Sequence, residues 1–81
     1  MDRLEHIKGN TVLWLNNDYE LYKTMKRLAT MKKIGNRAQL VSDVCAKLRT
    51  EFDDLSSDEV KAIDNIAYAE IVLTRDELLE Q

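Results

Sequence analysis

Proline is absent from this 81-residue chain, and glycine occurs only at Gly9 and Gly35. Because these two residue types form most sharp turns, their scarcity favours long helices over architectures rich in strands and turns. The apolar fraction of 44% is ordinary for a folded protein and too high for a disordered one. The sequence therefore predicts an all-α fold, a small helical bundle, with one domain covering residues 1–81.

Residues that carry metal or catalytic chemistry are also scarce, since the chain has one cysteine, Cys45, and one histidine, His6. A zinc site of the usual type needs four Cys, His or carboxylate ligands at defined spacings, and a phosphate loop needs clustered glycines. Neither pattern occurs in the sequence. We therefore expect no metal site, no cofactor and no enzymatic activity, with Cys45 in the core and His6 facing solvent.

No run of 18 apolar residues is present, which excludes a membrane-spanning helix of ordinary length. The first residues also lack the basic region and apolar stretch of a secretory signal peptide. A lone cysteine cannot form an internal disulfide, which fits a reducing compartment. These features predict a cytoplasmic protein without a membrane partner.

Three segments have the apolar spacing of amphipathic helices, and the first lies near 18–33. Asn17 and Glu20, three residues apart, predict a capping box at its start. Gly35 follows its basic last turn and predicts a left-handed C-terminal cap.

The second helix is predicted at 36–53 with Asn36 as its cap, and the third at 57–73 after a capping box of Ser56 and Glu59. The residues expected to be buried together come from both helices: Val41, Cys45, Leu48, Phe52, Ile63 and Ile66.

Two segments leave alternatives open. Residues 66–73 are apolar except for Glu70, which predicts a fully packed helix or a short strand. Thr74 and Glu77 form another possible capping box, so residues 75–80 are expected as a separate last turn. The first seventeen residues are a short irregular or helical segment, and helix is favoured because a lone strand would leave its backbone unpaired.

Charge is sorted along the chain. Residues 21–50 contain eight basic side chains and one acid, whereas residues 51–81 contain ten acids and two basic side chains. The net charge of −3 therefore hides a strong charge asymmetry, and clustered charge of one sign steers binding partners.

The basic segment predicts a partner-binding surface, since several of its cations lie opposite the apolar stripe of the first helix. Its expected contact residues are Lys23, Lys26, Arg27, Lys33 and Arg37. The alternative is that this face is only solvated, or that it pairs with the acidic C-terminal third inside the fold.

Residues 12–18, Val-Leu-Trp-Leu-Asn-Asn-Asp, are followed by Leu21 and Tyr22. This pattern resembles short uncharacterised proteins encoded by phages and plasmids, in which an apolar-Leu-Trp turn leads to Asn-Asp and then to Leu-Tyr. The chain departs from the pattern at residues 19–20, where an acid followed by glycine would be expected. The resemblance implies a mobile-element origin and a helix start near Asp18, and it implies no activity.

The sequence favours a small non-enzymatic interaction protein that binds and modulates a larger protein. If the resemblance holds, that partner would be a host enzyme or a defence component, and the protein an inhibitor of it. The acidic third could then imitate phosphates in a basic groove. The alternative is a nucleic-acid-binding module that uses the basic segment 23–37, although the isoelectric point near 5.1 argues against it. A homodimer is also expected, because residues 66–73 carry more apolar surface than two neighbouring helices cover.

Overall fold

A computed structural model describes residues 2–31 and 36–80, which form four α-helices. In chain order these are α1 (Arg3–Asn17), α2 (Tyr19–Ala29), α3 (Ala38–Leu48) and α4 (Ser57–Leu79). Each helix packs against the other three, and no strand occurs within the described residues. The all-α prediction is therefore confirmed. The expected count of three main helices is too low by one, because the N-terminal segment is a full helix.

The helix α1 begins at Asp2, whose side chain accepts a hydrogen bond from the Leu4 amide at 3.1 Å. Its buried side chains follow a four-residue spacing at Ile7, Thr11 and Leu15. Thr11 is fully buried, and its hydroxyl donates to the Ile7 carbonyl at 2.7 Å. A polar residue in the middle of the inward stripe obscures the apolar period, which explains why the sequence pattern did not define this helix.

The junction between α1 and α2 corrects one predicted cap. The N-cap of α2 is Asp18, whose carboxylate accepts from the Leu21 amide at 3.1 Å. Asn17 instead ends α1, and its side-chain amide donates to the Leu13 carbonyl at 2.9 Å. The predicted Asn17–Glu20 capping box was therefore wrong by one residue.

The end of α2 differs from the predicted helix 18–33, because α2 ends at Ala29. The predicted basic last turn with Lys32 and Lys33, and the predicted cap at Gly35, lie outside the described residues.

The helix α3 is shorter than the predicted segment 36–53. It begins at Ala38 after an N-cap at Arg37 that makes no side-chain cap, so the predicted Asn36 cap is wrong. After Leu48 the chain turns, and Asp54 takes a left-handed backbone with φ of 47°. Aspartate tolerates this conformation better than most residues, which allows the reversal without glycine.

The helix α4 confirms the predicted start and corrects the predicted end. Ser56 and Glu59 form both hydrogen bonds of the capping box, at 3.2 and 2.9 Å. The helix continues through Thr74, whose hydroxyl donates to the Glu70 carbonyl at 2.8 Å. Residues 75–79 thus belong to α4 and do not form a separate turn, and the strand alternative at residues 66–73 is wrong because these residues are helical.

The core is one cluster that takes side chains from all four helices. Of the residues expected to be buried together, Val41, Cys45, Leu48 and Ile63 are buried, whereas Phe52 and Ile66 are partly buried against the cluster. The fully buried side chains are Ile7, Thr11, Leu15, Met25, Leu40, Val44, Leu48, Ile63 and Ile71.

Shortening Leu48 should destabilise the fold strongly. The side chain is 0% exposed, so Leu48→Ala leaves a cavity, and we expect a loss of about 2–5 kcal/mol in the free energy of unfolding. Urea titration followed by circular dichroism measures the loss. The matched control is Leu13→Ala, because Leu13 is 58% exposed and its truncation should change stability little. Equal effects of the two substitutions would contradict the proposed core.

Candidate partner-binding face on α2

The helix α2 separates apolar and polar side chains more cleanly than the other helices. Its inward stripe consists of Leu21, Met25, Leu28 and Ala29, all buried in the core. The opposite side is exposed to solvent and combines three cations with two phenol rings. We call it the basic–tyrosine face: Tyr19, Tyr22, Lys23, Lys26 and Arg27.

Two lysines of this face lie over tyrosine rings one helical turn before them. The Lys23 ammonium is 5.8 Å from the centre of the Tyr19 ring, and the Lys26 ammonium is 6.0 Å from that of Tyr22. Both distances lie within the range of a cation–π attraction. Tyr19 is 72% exposed, so the pairs present aromatic surface and positive charge to solvent together.

The cations of this face have no close carboxylate partner in the described structure, although Glu20 lines the same groove as Lys23 and Arg27. Across residues 2–31 and 36–80, no carboxylate oxygen lies within 4.0 Å of the cationic nitrogens of Lys23, Lys26 or Arg27. The acids that do form long-range ion pairs have other partners: Glu59 pairs with Arg3 at 2.9 Å, for example. The pairing of the acidic third with the basic segment therefore does not extend to these three cations.

Arg37, which the sequence grouped with the binding residues, has a structural partner. Its guanidinium makes two hydrogen bonds to Asp64, at 2.6 and 2.9 Å, and lies 4.9 Å from the centre of the Tyr68 ring. It is partly buried between α3 and α4, away from the basic–tyrosine face. Lys33, the remaining predicted contact, lies outside the described residues.

Side chains from other helices hold both ends of α2. At the N-terminus, the Lys47 ammonium lies 3.4 Å from the Asp18 carboxylate that caps the helix. At the C-terminus, the Arg75 guanidinium donates to the Ala29 carbonyl at 3.1 Å and also to the Met31 carbonyl. Carbonyls at a helix end have no partner within the helix, so a cation from α4 satisfies them. The exposed face is thus presented by a helix with fixed ends.

The Asp18 carboxyl has a lowered pKa. The main cause is the hydrogen bond from the Leu21 amide, and the nearby Lys47 contributes further. Both favour the ionised carboxylate, which is also the form that a helix N-terminus stabilises.

The environment of Cys45 does not favour thiolate chemistry. Cys45 is 4% exposed, and burial raises the pKa of its thiol, which favours the unreactive protonated form. Among the described side chains, no three His, Cys, Asp or Glu residues converge as a metal site would require. No helix within residues 2–31 and 36–80 has the length and apolarity needed to cross a membrane.

The sequence reasoning missed Tyr19 and Tyr22 as parts of this face, since aromatic residues at helical spacing more often lie in a core. The spacing between the tyrosines and the lysines could have indicated it. Both tyrosines precede a lysine by four residues, which places each ring on the same side of the helix as that cation.

Comparison with known proteins finds no matching family model, no similar curated protein and no matching solved structure. The support for a function therefore comes from the sequence and the geometry of the chain itself.

The cap of α2 should make folding stability sensitive to acid. Because the folded pKa of Asp18 is lowered below its ordinary value of 3.8, its contribution is complete above that value and is lost as the pH falls through the folded pKa. We expect the melting temperature of Asp18→Asn, measured by circular dichroism, to fall less steeply than that of the wild type as the pH is lowered from about 6 to about 2. This range covers the pH at which an ordinary carboxyl group is protonated.

The matched control for this prediction is Glu51→Gln, which removes an exposed carboxylate from the turn after α3. Because the pKa of Asp18 is lowered, the melting temperature of Asp18→Asn should fall less steeply than that of this control. The same slope for the wild type and Asp18→Asn would contradict the assigned role of Asp18.

Proposed function

We propose that this protein is a small non-enzymatic interaction protein, which binds an acidic surface of a larger protein through the basic–tyrosine face. The observation that carries the proposal is the set of three cations on α2 without a carboxylate partner in the described structure. Like charges four residues apart, such as Lys23 and Arg27, disfavour the helix slightly. An external acidic surface would remove this repulsion.

The tyrosines support a protein partner in particular. Tyrosine and arginine are enriched among the residues that dominate the affinity of protein interfaces, because their large side chains bury much area at low entropic cost. Tyr19, Tyr22 and Arg27 are all exposed on this face. Together with Lys23 and Lys26 they give an amphipathic contact surface with positive charge, which matches a partner that presents carboxylates around apolar side chains.

The partner class follows from the resemblance at residues 12–22. A chain encoded by a phage or plasmid acts on the cell that receives it, so the proposal takes a host enzyme or defence component as the acidic partner and inhibition as the outcome. It also places the protein in the cytoplasm, where a single unpaired cysteine remains reduced.

Charge reversal on α2 tests the proposal. Lys23→Glu with Arg27→Glu changes two exposed residues outside the inward stripe, so the helical circular dichroism spectrum should stay unchanged. Capture of partners from a host lysate, identified by mass spectrometry, should fall at least about tenfold for specific partners. Wild-type capture should also weaken as salt rises above about 0.1 M, where charges are screened beyond about 10 Å.

The matched control is Arg49→Glu with Lys61→Glu, which makes the same charge change at one exposed residue that follows α3 and at another on α4. This variant should retain the partners that the α2 variant loses. If the α2 variant unfolds, its cations serve the fold. If all three proteins capture the same partners, the basic–tyrosine face is not the binding surface.

A nucleic-acid partner is the second candidate, and one observation favours it. Exposed aromatic rings beside cations can stack on unpaired bases while the cations contact phosphates. Three cations would give a slope of about −2 in a plot of log affinity against log salt for single strands. Mobility shifts with single-stranded and duplex DNA at low and moderate salt measure this. Tight binding of nucleic acid that Lys23→Glu with Arg27→Glu abolishes would replace the protein-partner proposal.

A further inference from the structure

The groove between α3 and α4 contains a cleft that the basic–tyrosine face does not use. Its volume is about 500 Å³, within the usual range of sites that bind small molecules. Val41 and Cys45 of α3 and Val60 of α4 supply apolar lining, which we call the apolar floor. Val41 and Cys45 are 8% and 4% exposed, so the apolar floor is the outer edge of the core.

The cleft is elongated along α3. Ala38 and Arg49 both line it, and they are about three helical turns apart, or about 16 Å along the helix axis. No aromatic side chain is among the described residues that line the cleft. This shape and lining suit an extended aliphatic chain better than a flat ring system.

The charged lining of the cleft is positive toward one end. Near the start of α3, the Asp64 carboxylate is paired with the Arg37 guanidinium, so its charge is compensated. Arg49 and Lys61 also line the cleft, and neither has a carboxylate oxygen within 4.0 Å in the described structure. Asp58, one turn before Lys61, lines the adjoining groove next to α1, which Lys61 borders as well. An occupant of the cleft should therefore carry negative charge at its Arg49 end.

The Arg49 cation lies close to the apolar floor. Arg49 follows Cys45 by four residues, so it lies one turn further along the same side of the helix. Burial raises the pKa of the Cys45 thiol, and the positive charge of Arg49 lowers it in part. The exposed hydroxyl groups of Ser42 and Ser57 also line the cleft and can donate hydrogen bonds to an anion. One small molecule can therefore reach both the cation and the apolar floor.

We propose that the cleft binds a medium-chain aliphatic carboxylate, with its carboxylate at Arg49 and Lys61 and its chain along the apolar floor toward Ala38. A carboxylate fits because the planar guanidinium group can donate two parallel hydrogen bonds to its two oxygens. The hydrocarbon chain covers apolar surface that water would otherwise contact, so each buried methylene group adds affinity. The site shares no residue with the basic–tyrosine face and is independent of the proposed protein partner.

Titration of the isotope-labelled wild type with decanoate, followed by NMR and kept below micelle formation, tests the site. Amide shifts should saturate and should concentrate on α3 and the first two turns of α4. Hexanoate has the same head group on a shorter chain, and it should bind at least about tenfold more weakly because it buries fewer methylene groups. Decyltrimethylammonium has a chain of the same length with a cationic head group. It should also bind at least about tenfold more weakly, because Arg49 and Lys61 would repel it.

Charge reversal locates the head group. Arg49→Glu with Lys61→Glu should weaken decanoate binding at least about tenfold, because both cations become anions. The charge-matched control is Lys23→Glu with Arg27→Glu, whose residues do not line the cleft, and it should bind decanoate as the wild type does. All four residues are exposed, so circular dichroism should show native helix for both variants. The comparison of head groups uses the wild type and does not depend on the folding of either variant.

Three results would overturn the proposal. One is the absence of saturable decanoate binding, which would leave an apolar and acidic segment of a protein as the occupant of the cleft. Another is equal affinity for decanoate and decyltrimethylammonium, or amide shifts spread over all four helices. The third is equal loss of decanoate binding in the two double variants, which would show a dependence on net charge and not on Arg49 and Lys61.

Discussion

The length of α4 is the constraint on which the rest of the fold depends. Its 23 residues extend for about 34 Å at the rise of an α-helix, which is close to the 38 Å long dimension of the molecule. The inward stripe of Ile63, Ala67, Ile71 and Thr74 must be shielded from water along that length. None of the other helices exceeds 15 residues, so the covering has to be shared among three of them.

Because three shorter helices cover α4, the chain contains helix ends and turns whose backbone carbonyls need polar partners. Arg3 binds Glu59 and the carbonyls of the turn before α4, and Arg75 binds the carbonyls at the end of α2. A third arginine, Arg37, binds the Asp64 side chain within α4. Each of these arginines connects segments that are distant in sequence. Lys23, Lys26 and Arg27 form no such contact within the described residues, which is why the basic–tyrosine face on α2 is a candidate for binding.

The all-α class, the capping box at Ser56 and the core positions Val41, Cys45 and Leu48 could be predicted from the sequence. These features depend on spacing within one helix or on the absence of prolines, and neither requires knowledge of a neighbour. The position of the cations on α2 opposite its apolar stripe could also be predicted, because 3.6 residues per turn fixes which side chains share a face.

The tertiary structure decided which cations of the basic segment form ion pairs inside the fold. Arg37 and Lys23 look alike in a basic segment. Of the two, only Arg37 forms an ion pair with a described carboxylate, because α3 and α4 pack with Asp64 next to it. The apolar pattern of α1 was hard to recognise in the sequence because Thr11 occupies a buried position. Its hydroxyl donates to the Ile7 carbonyl, and this local bond makes a polar residue compatible with the core. Composition and spacing along the chain thus determined the helices and their apolar faces. The pairing of side chains distant in sequence was decided only by the packing, since it depends on distances between helices that no local pattern encodes.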